Sequence, residues 1–165
     1  MIPYGRQSID EEDINSVLKV LKSDLITQGP VPDLFEKKVA NLVNAKFAVS
    51  TNSATSSLLV SCLSLGLEKN DILWTSPNSF VASSNCALHC GAQVDFVDID
   101  LQSGNISLEK LREKLHEASK SNNLPKILIP VHFAGQPTEQ EEIWNLSRQY
   151  GFKIIEDASH SIGSK

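Results

Sequence analysis

From residue 47 onward, short apolar β-prone runs alternate with longer segments of helical periodicity. The predicted strands are Phe47–Thr51, Ile72–Thr75, Val94–Val97, Lys126–Val131 and Lys153–Glu156. The predicted helices between them cover residues 53–65, 79–90, 108–119 and 138–150. Consecutive parallel strands need a crossover of about a dozen residues, and helices of this length supply it. The alternation therefore predicts an α/β fold with a mainly parallel sheet and helices on both faces.

Two more helices are predicted before the first strand. Residues 9–21 begin with four consecutive acids, Asp10 to Asp13, and place apolar residues at helical spacing. Pro32 opens a second segment of helical periodicity that runs to about Asn44. Acids complement the helix dipole at an N-terminus, and proline is tolerated in the first turn.

Charge and cysteine content exclude several classes of protein. The formal net charge is -5 and the pI is about 5.3, so no basic surface for nucleic acid or an anionic membrane is expected. No apolar run approaches the roughly 18 residues of a membrane span, and the first residues do not resemble a signal sequence. The three cysteines, Cys62, Cys86 and Cys90, lack the spacing of a zinc or redox motif. These features predict a cytoplasmic protein.

Polar and small residues follow four of the predicted strands. The segments are Asn52–Ser57, Pro77–Phe80, His132–Gly135 and the pair Asp157 with His160. In an open parallel sheet, ligands bind at the carboxyl ends of the strands. We therefore expect the binding site at this edge of the sheet.

Asp157 is the strongest single candidate, because a carboxylate directly after a β-prone strand must be hydrated, hydrogen-bonded or matched to a cation. Its position allows four interpretations. Asp157 is either a metal ligand together with Glu156 and His160, or an acid/base group, or a fixed anion for a protonated ring nitrogen, or a cap of the following turn. These alternatives stay open from the residues alone. His160 by itself is typical of a polar neighbour rather than a ligand.

Two of the other three segments each allow two interpretations. The hydroxyl-rich residues Ser53–Ser57 open a predicted helix, where they either cap it or help to bind a phosphate. Phe80 lies at the start of the next predicted helix, where its ring either stacks on a flat heterocycle or packs into the core.

Familiar metal and nucleotide motifs are missing. The acidic run that starts at Asp98 resembles a calcium loop, but Gly104 comes one position late and the run leaves a strand. His89 and His116 have no partner at zinc-binding spacing. The glycine-rich motifs of dinucleotide and P-loop proteins are absent. No metal is expected.

Taken together, the segments at the sheet edge resemble one family across essentially the whole chain. The matching motifs are Gln28–Pro30, Phe35-Glu36, Asn52–Ser56, Pro77–Ala82, Phe96–Asp100, Gly104–Ile106, Pro130–Gly135 and Glu156–His160. The family is the DegT/DnrJ/EryC1/StrS family of pyridoxal 5'-phosphate (PLP) dependent sugar aminotransferases. The resemblance is nearest to the branch that aminates UDP-4-keto-6-deoxy-N-acetyl amino sugars on the pseudaminic acid pathway.

The resemblance implies a fold and a domain organisation. The fold is an incomplete large domain of the aspartate-aminotransferase-like, fold type I class. Residues 1–30 would form an N-terminal helix and a substrate-side loop, and residues 31–165 a partial PLP-binding domain. The C-terminal small domain of the family would be absent, and the complete protein would be a homodimer.

The resemblance also implies roles for individual residues. Asp157 would pair with the protonated pyridine nitrogen of PLP, His160 would lie near its phenolic oxygen, and Phe80 would stack on its ring. The phosphate would be bound by residues at the start of a helix, Ala54, Thr55 and Ser56. The nucleotide-linked keto-sugar would contact residues near the N-terminus, namely Tyr4, Asp24, Leu25, Ile26 and Thr27. Glutamate would supply the amino group, which is transferred to C4 of the sugar.

One family residue has no match in this sequence. The Schiff-base lysine of the family lies in a later segment, beyond Lys165, so no catalytic residue is assigned to this chain. We therefore expect the chain alone to be inactive, as one part of a sugar aminotransferase. The alternative is a non-catalytic remnant that binds PLP weakly or associates with a full-length partner.

Overall fold

The computed structural model describes residues 6–164 and divides the chain into two compact units. The first unit runs to Ser50, and the second begins at Thr51. The domain assignment that the resemblance implies, with a boundary after residue 30, stays a prediction.

The first unit contains two helices, α1 (Glu11–Leu21) and α2 (Pro30–Leu42). Asp10 caps α1, because its carboxylate accepts from the backbone N–H of Glu12 at 2.8 Å and of Asp13 at 3.1 Å. The Asp13 carboxylate accepts from the Asp10 N–H in return, which completes a capping box. Helix α2 starts two residues earlier than expected, because Pro30 rather than Pro32 takes the first helical position.

The predicted strand Phe47–Thr51 is not formed. This stretch has no regular secondary structure, and the side chains of Phe47 and Val49 are 76% and 79% exposed. The Ser50 N–H and hydroxyl instead donate to the Glu36 carboxylate at 2.7 and 2.8 Å. These two hydrogen bonds lower the pKa of Glu36. A side chain of α2 thus satisfies a backbone donor that a strand would have used for its ladder.

The second unit confirms the predicted α/β fold. Its elements are α3 (Ala54–Ser64), β1 (Ile72–Thr75), α4 (Ala82–His89), β2 (Gln93–Phe96), α5 (Leu108–Lys120), β3 (Ile127–Ile129), a 3-10 turn (Phe133–Gly135), α6 (Gln140–Tyr150) and β4 (Lys153–Ile154). The sheet order is β2-β1-β3-β4, and all three strand pairs are parallel.

Alternate strand residues build the two halves of the core. Leu73, Ile127 and Ile129 pack with α3 and α4 on one face of the sheet. Trp74 and Leu128 pack with α5 and α6 on the other face. This alternation follows from the two-residue period of a strand, and it explains why these strands are apolar throughout.

The sheet order creates a switch point between β1 and β3. The chain leaves β1 through α4 toward β2, and it leaves β3 through α6 toward β4 on the opposite side. The Thr75 hydroxyl donates to the Ile129 carbonyl at 2.9 Å, so the two strands are held together where they end. The carboxyl ends of strands beside such a switch point are where open α/β sheets bind ligands.

Across residues 6–164, no helix combines the length and the apolar character that crossing a membrane requires.

Candidate functional site at the carboxyl end of the sheet

Asp157 lies at the expected edge of the sheet. Strand β4 ends at Ile154, yet parallel pairing resumes as a single bridge between Asp157 and Val131. The Asp157 N–H donates to the Pro130 carbonyl at 3.0 Å, and the His132 N–H donates to the Asp157 carbonyl at 3.1 Å. Its backbone is therefore fixed to the segment that follows β3.

The Asp157 side chain is only 8% exposed, and both of its oxygens accept hydrogen bonds. The Ser83 hydroxyl donates to Oδ2 at 2.7 Å, and the Ser159 hydroxyl donates to Oδ1 at 2.6 Å. The Ser159 N–H also donates to Oδ1, at 3.3 Å, which is the turn cap considered above. A carboxylate that accepts at both oxygens is in its ionised role, so this site holds a buried anion.

Asp157, Glu156 and His160 do not assemble into a metal site. The Glu156 carboxylate accepts from the Gln140 amide at 2.7 Å and contacts Nε2 of His132 at 3.2 Å. Among the residues that the structure describes, no three histidine, cysteine or acidic side chains are placed to share a metal ion.

His132 is a buried member of the site, and the sequence placed it in an edge segment without predicting a role for it. Its Nδ1 accepts from the Thr138 N–H at 3.0 Å, so in the neutral ring the proton is on Nε2 and faces Glu156. The imidazole thus connects the end of β3 with the residue before Asp157. The sequence signal is its position directly after the predicted apolar strand Lys126–Val131.

Phe80 is exposed, so the core interpretation of this residue is wrong. Its side chain is 73% exposed, and it lies in the turn before α4 rather than in the helix. The Phe80 carbonyl accepts from the Ser83 N–H at 3.1 Å, so the backbone of Phe80 is joined to the residue that binds Asp157. Phe80 and Ser83 line a cavity of about 250 Å³ together with Ser76. The Ser76 hydroxyl is buried, with no hydrogen-bond partner among residues 6–164.

The backbone of His160 packs against the turn after β3. Gly135 has a φ of +87°, and a Cβ at this position would lie 2.8 Å from the His160 carbonyl oxygen. Glycine is therefore required here for two reasons, its backbone conformation and the close approach of the chain. The Ser164 hydroxyl donates to the Gly135 carbonyl at 2.9 Å and holds the following segment in place.

The side chain of Asn105 holds the same turn, residues 133–137, by three hydrogen bonds. Its Oδ1 accepts from the Phe133 N–H at 2.9 Å, and its Nδ2 donates to the carbonyls of Gln136 and Pro137 at 3.0 and 3.1 Å. Asn105 is buried, so these three bonds satisfy an amide that water cannot reach. Asn105 belongs to the motif Gly104–Ile106, from which no individual role was predicted.

The start of α3 has the predicted capping geometry. Ser53 accepts from the Ser56 N–H at 3.2 Å, and the Ser56 hydroxyl donates to the Asn52 side chain at 2.7 Å. The described hydrogen bonds of this exposed turn are local, and none joins Thr55 or Ser56 to Asp157. Within residues 6–164, the N–H groups of Ala54 and Thr55 have no hydrogen-bond partner, as is usual for a first helical turn.

The predicted substrate residues belong to the first unit. Asp24, Leu25, Ile26 and Thr27 form an exposed loop between α1 and α2, which the Ser23 hydroxyl supports by donating to the Leu25 carbonyl at 3.0 Å. Tyr4 lies outside the described residues.

Two buried thiols lie beneath the site. Cys86 follows Ser83 by one turn of α4, and the Cys62 thiol donates to its sulfur at 3.6 Å. This hydrogen bond lowers the pKa of Cys86, which accepts it. The pKa of Cys62 is raised, because its thiol donates the bond and is also buried. The negative charge of Asp157 acts against the shift at Cys86.

Comparison with known proteins supplies the family. The model of the DegT/DnrJ/EryC1/StrS aminotransferase family matches residues 7–165. A UDP-4-amino-4,6-dideoxy-N-acetyl-beta-L-altrosamine transaminase from Campylobacter jejuni is 39% identical over the whole chain, which covers 43% of that protein.

Solved structures give the same result. One is Helicobacter pylori PseC, an aminotransferase of pseudaminic acid biosynthesis, with a TM-score of 0.87 and 32% identity. The match covers 99% of this chain and 43% of PseC. Another is NtdA from Bacillus subtilis with its bound cofactor PMP, with a TM-score of 0.82 and 28% identity. The match covers 94% of this chain and 35% of NtdA. The chain therefore spans about two fifths of these relatives, and the predicted aminotransferase fold is confirmed for that part.

Proposed function

The chain belongs to the DegT/DnrJ/EryC1/StrS aminotransferase family, and from this we propose that it forms the cofactor site of an enzyme that aminates a nucleotide-linked keto-sugar. PLP is the cofactor of this family. The observation that carries the proposal is the buried Asp157 carboxylate, held as an acceptor at the carboxyl edge of the sheet.

The residues at this edge fit PLP. A protonated pyridine nitrogen needs a fixed anion in a place from which water is excluded, and Asp157 meets both conditions. Phe80 offers an exposed aromatic face one turn before Ser83. The buried Ser76 hydroxyl in the adjoining cavity has unused hydrogen-bonding capacity. The first turn of α3 presents unpaired N–H groups, which suit a phosphate.

The roles that the resemblance implies are kept in this proposal. Asp157 would hold the pyridine nitrogen, Phe80 would stack on the ring, and His160 would lie near the phenolic oxygen. The phosphate is bound by the start of α3, through the backbone of Ala54 and the hydroxyls of Thr55 and Ser56.

The chemistry of these residues is electrostatic. PLP, when bound, supplies an electron sink for the carbanion that amino-group transfer requires. Asp157 keeps the proton on the ring nitrogen, and its burial strengthens this attraction because the local dielectric constant is low. Phe80 covers one face of the ring and shields it from water.

The names of two relatives support a proposal for the substrate. The C. jejuni protein is named for a UDP-linked amino sugar, and PseC for pseudaminic acid biosynthesis. We assign the present protein a UDP-linked keto-sugar aminated at C4, with glutamate as amino donor. The contacts are made by residues before α2, namely Tyr4, Asp24, Leu25, Ile26 and Thr27. The complete enzyme is a homodimer of the cytoplasm, where the free thiols of Cys62, Cys86 and Cys90 stay reduced.

Asp157→Asn tests this function. The protein is purified as its gene encodes it and titrated with PLP by absorbance and fluorescence. We expect a loss of affinity of about 30-fold or more, because the amide removes the charge opposite the ring nitrogen. Asp100→Asn is the matched control, since Asp100 also accepts from a nearby serine hydroxyl and N–H but is exposed. Equal affinity of the wild type and Asp157→Asn, or no binding by the wild type, contradicts the proposal.

A further inference from the structure

Ser83 lies between Asp157 and a second serine, Ser79. Its hydroxyl donates to Oδ2 of Asp157 at 2.7 Å and contacts the Ser79 hydroxyl at 2.8 Å. The Ser83 side chain is fully buried. Neither serine has a role in the assignments given above for the cofactor or the sugar.

The direction of this hydrogen-bond chain follows from counting protons. A serine hydroxyl has one proton to donate, and the proton of Ser83 is used on Asp157. The bond between the two serines must therefore be donated by Ser79. The chain runs from Ser79 through Ser83 to the carboxylate, and each donor polarises the next.

The donor is fixed by the packing of α4. Its neighbours Ala82, Cys86 and Ala87 are buried in the core on the α3 and α4 face of the sheet. The Cys86 thiol also donates to the Ser83 carbonyl at 3.5 Å. Ser83 therefore cannot follow Asp157 if the carboxylate turns, and the hydrogen bond selects one orientation of the carboxyl group.

We propose that Ser83 is a positioning residue that fixes Oδ2 of Asp157 for the pyridine nitrogen of PLP, with Ser79 as its own support. This inference rests on the proposed function. Ser159 binds the other carboxylate oxygen, Oδ1. One donor from α4 and one from the turn after Asp157 therefore hold the carboxylate from two sides. Without Ser83 the anion keeps its charge but loses its orientation.

The test is a double-mutant cycle with PLP affinity as readout. Ser83→Ala should weaken PLP binding roughly tenfold, because a hydrogen bond to a charged group is lost. Ser83→Thr keeps the hydroxyl and should restore most of the affinity. In the Asp157→Asn background, Ser83→Ala should have little further effect, because its role depends on the carboxylate. Ser84→Ala is the control, since the Ser84 hydroxyl donates only to the Val81 carbonyl.

Absorbance of the bound cofactor as a function of pH gives a second readout. Ser83→Ala should shift the titration of the ring nitrogen, whereas Ser84→Ala should leave it unchanged. The inference is overturned if Ser83→Ala binds PLP as the wild type does, or if it loses the same factor with and without Asp157. If Ser83→Ala does not fold, Ser79→Ala serves as the test, and its PLP affinity should fall by a few fold because Ser79 supports Ser83. Failure of the proposed function is distinguished by the single variant Asp157→Asn, which would then bind PLP with the affinity of the wild type.

Discussion

Lys126 and Asp71 form an ion pair of 2.7 Å at the amino ends of β3 and β1. Lys126 also donates to the Gly66 carbonyl at 2.6 Å, so it ties the start of two central strands to the end of α3. This edge is opposite the one that carries Asp157. Polar residues at the amino edge of the sheet thus serve stability, whereas the carboxyl edge carries the residues that we propose bind the cofactor.

Asp71→Asn should reduce stability at neutral pH by about 1 kcal/mol, since the pair is partly exposed. The hydrogen bond from Lys126 lowers the pKa of Asp71 below its unfolded value. The stabilisation is therefore present above the unfolded pKa and is lost as pH falls through the lowered folded pKa. Urea unfolding from pH 7 to pH 2 measures this, and the variant should lose part of the acid dependence. Glu117→Gln, which removes an exposed pair with Lys120, should change stability less.

Asn105→Ala should destabilise the second unit by about 2 to 3 kcal/mol, because it removes the three hydrogen bonds by which a buried amide holds the turn after β3. Chemical denaturation gives the free energy of unfolding. Asn145→Ala, at an exposed position of α6, is the control and should be neutral or slightly stabilising. Similar values for the two variants would show that Asn105 does not hold the turn after β3.

Gly135→Ala and Gly151→Ala separate backbone strain from steric overlap. The φ angles are nearly equal, +87° and +84°, so both variants should lose about 1 kcal/mol to the left-handed conformation. Only the Gly135 variant also meets a backbone atom, the His160 carbonyl at 2.8 Å. We expect Gly135→Ala to be the less stable variant by a further 1 kcal/mol or more, and to weaken PLP binding. Equal unfolding free energies would argue against close contact of His160 with this turn.

Cys90 should be the only thiol that labels in the folded protein. Cys62 and Cys86 are buried, whereas Cys90 is half-buried at the end of α4. Burial and the neighbouring Cys86 raise the pKa of Cys90, so its reaction with a disulfide reagent should be slow at pH 7 and accelerate above pH 9. Absorbance of the released thiolate follows the reaction, and denaturant should expose all three thiols. Cys90→Ser should abolish native labelling; fast labelling of that variant would show that α3 and α4 open.

Much of the second unit was predictable because its signals are local. Strand β1 was predicted to the residue, since Ile72–Thr75 is a short apolar run between turn signals. The edge that carries Asp157 followed from the general rule for parallel sheets. Strand Phe47–Thr51 was predicted wrongly because a strand also needs a neighbour, and here Glu36 takes the Ser50 donor.

The residues that escaped prediction act through distant contacts. Asn105 bonds to Phe133, and His132 faces Glu156, at separations of 28 and 24 residues. Ser83 was one serine among several in a helix start, and nothing nearby in the sequence marks it as the partner of Asp157. Such roles depend on tertiary packing, which periodicity and capping rules do not encode.

Ser83 and Asp157 are separated by 74 residues, and the strands β1, β3 and β4 lie side by side between the elements that carry them. On the ribosome, helix α4 emerges long before its acidic partner, so the Ser83 hydroxyl has no carboxylate to bond until the segment after β4 has been synthesised. The two sides of this hydrogen bond therefore form at different times during translation.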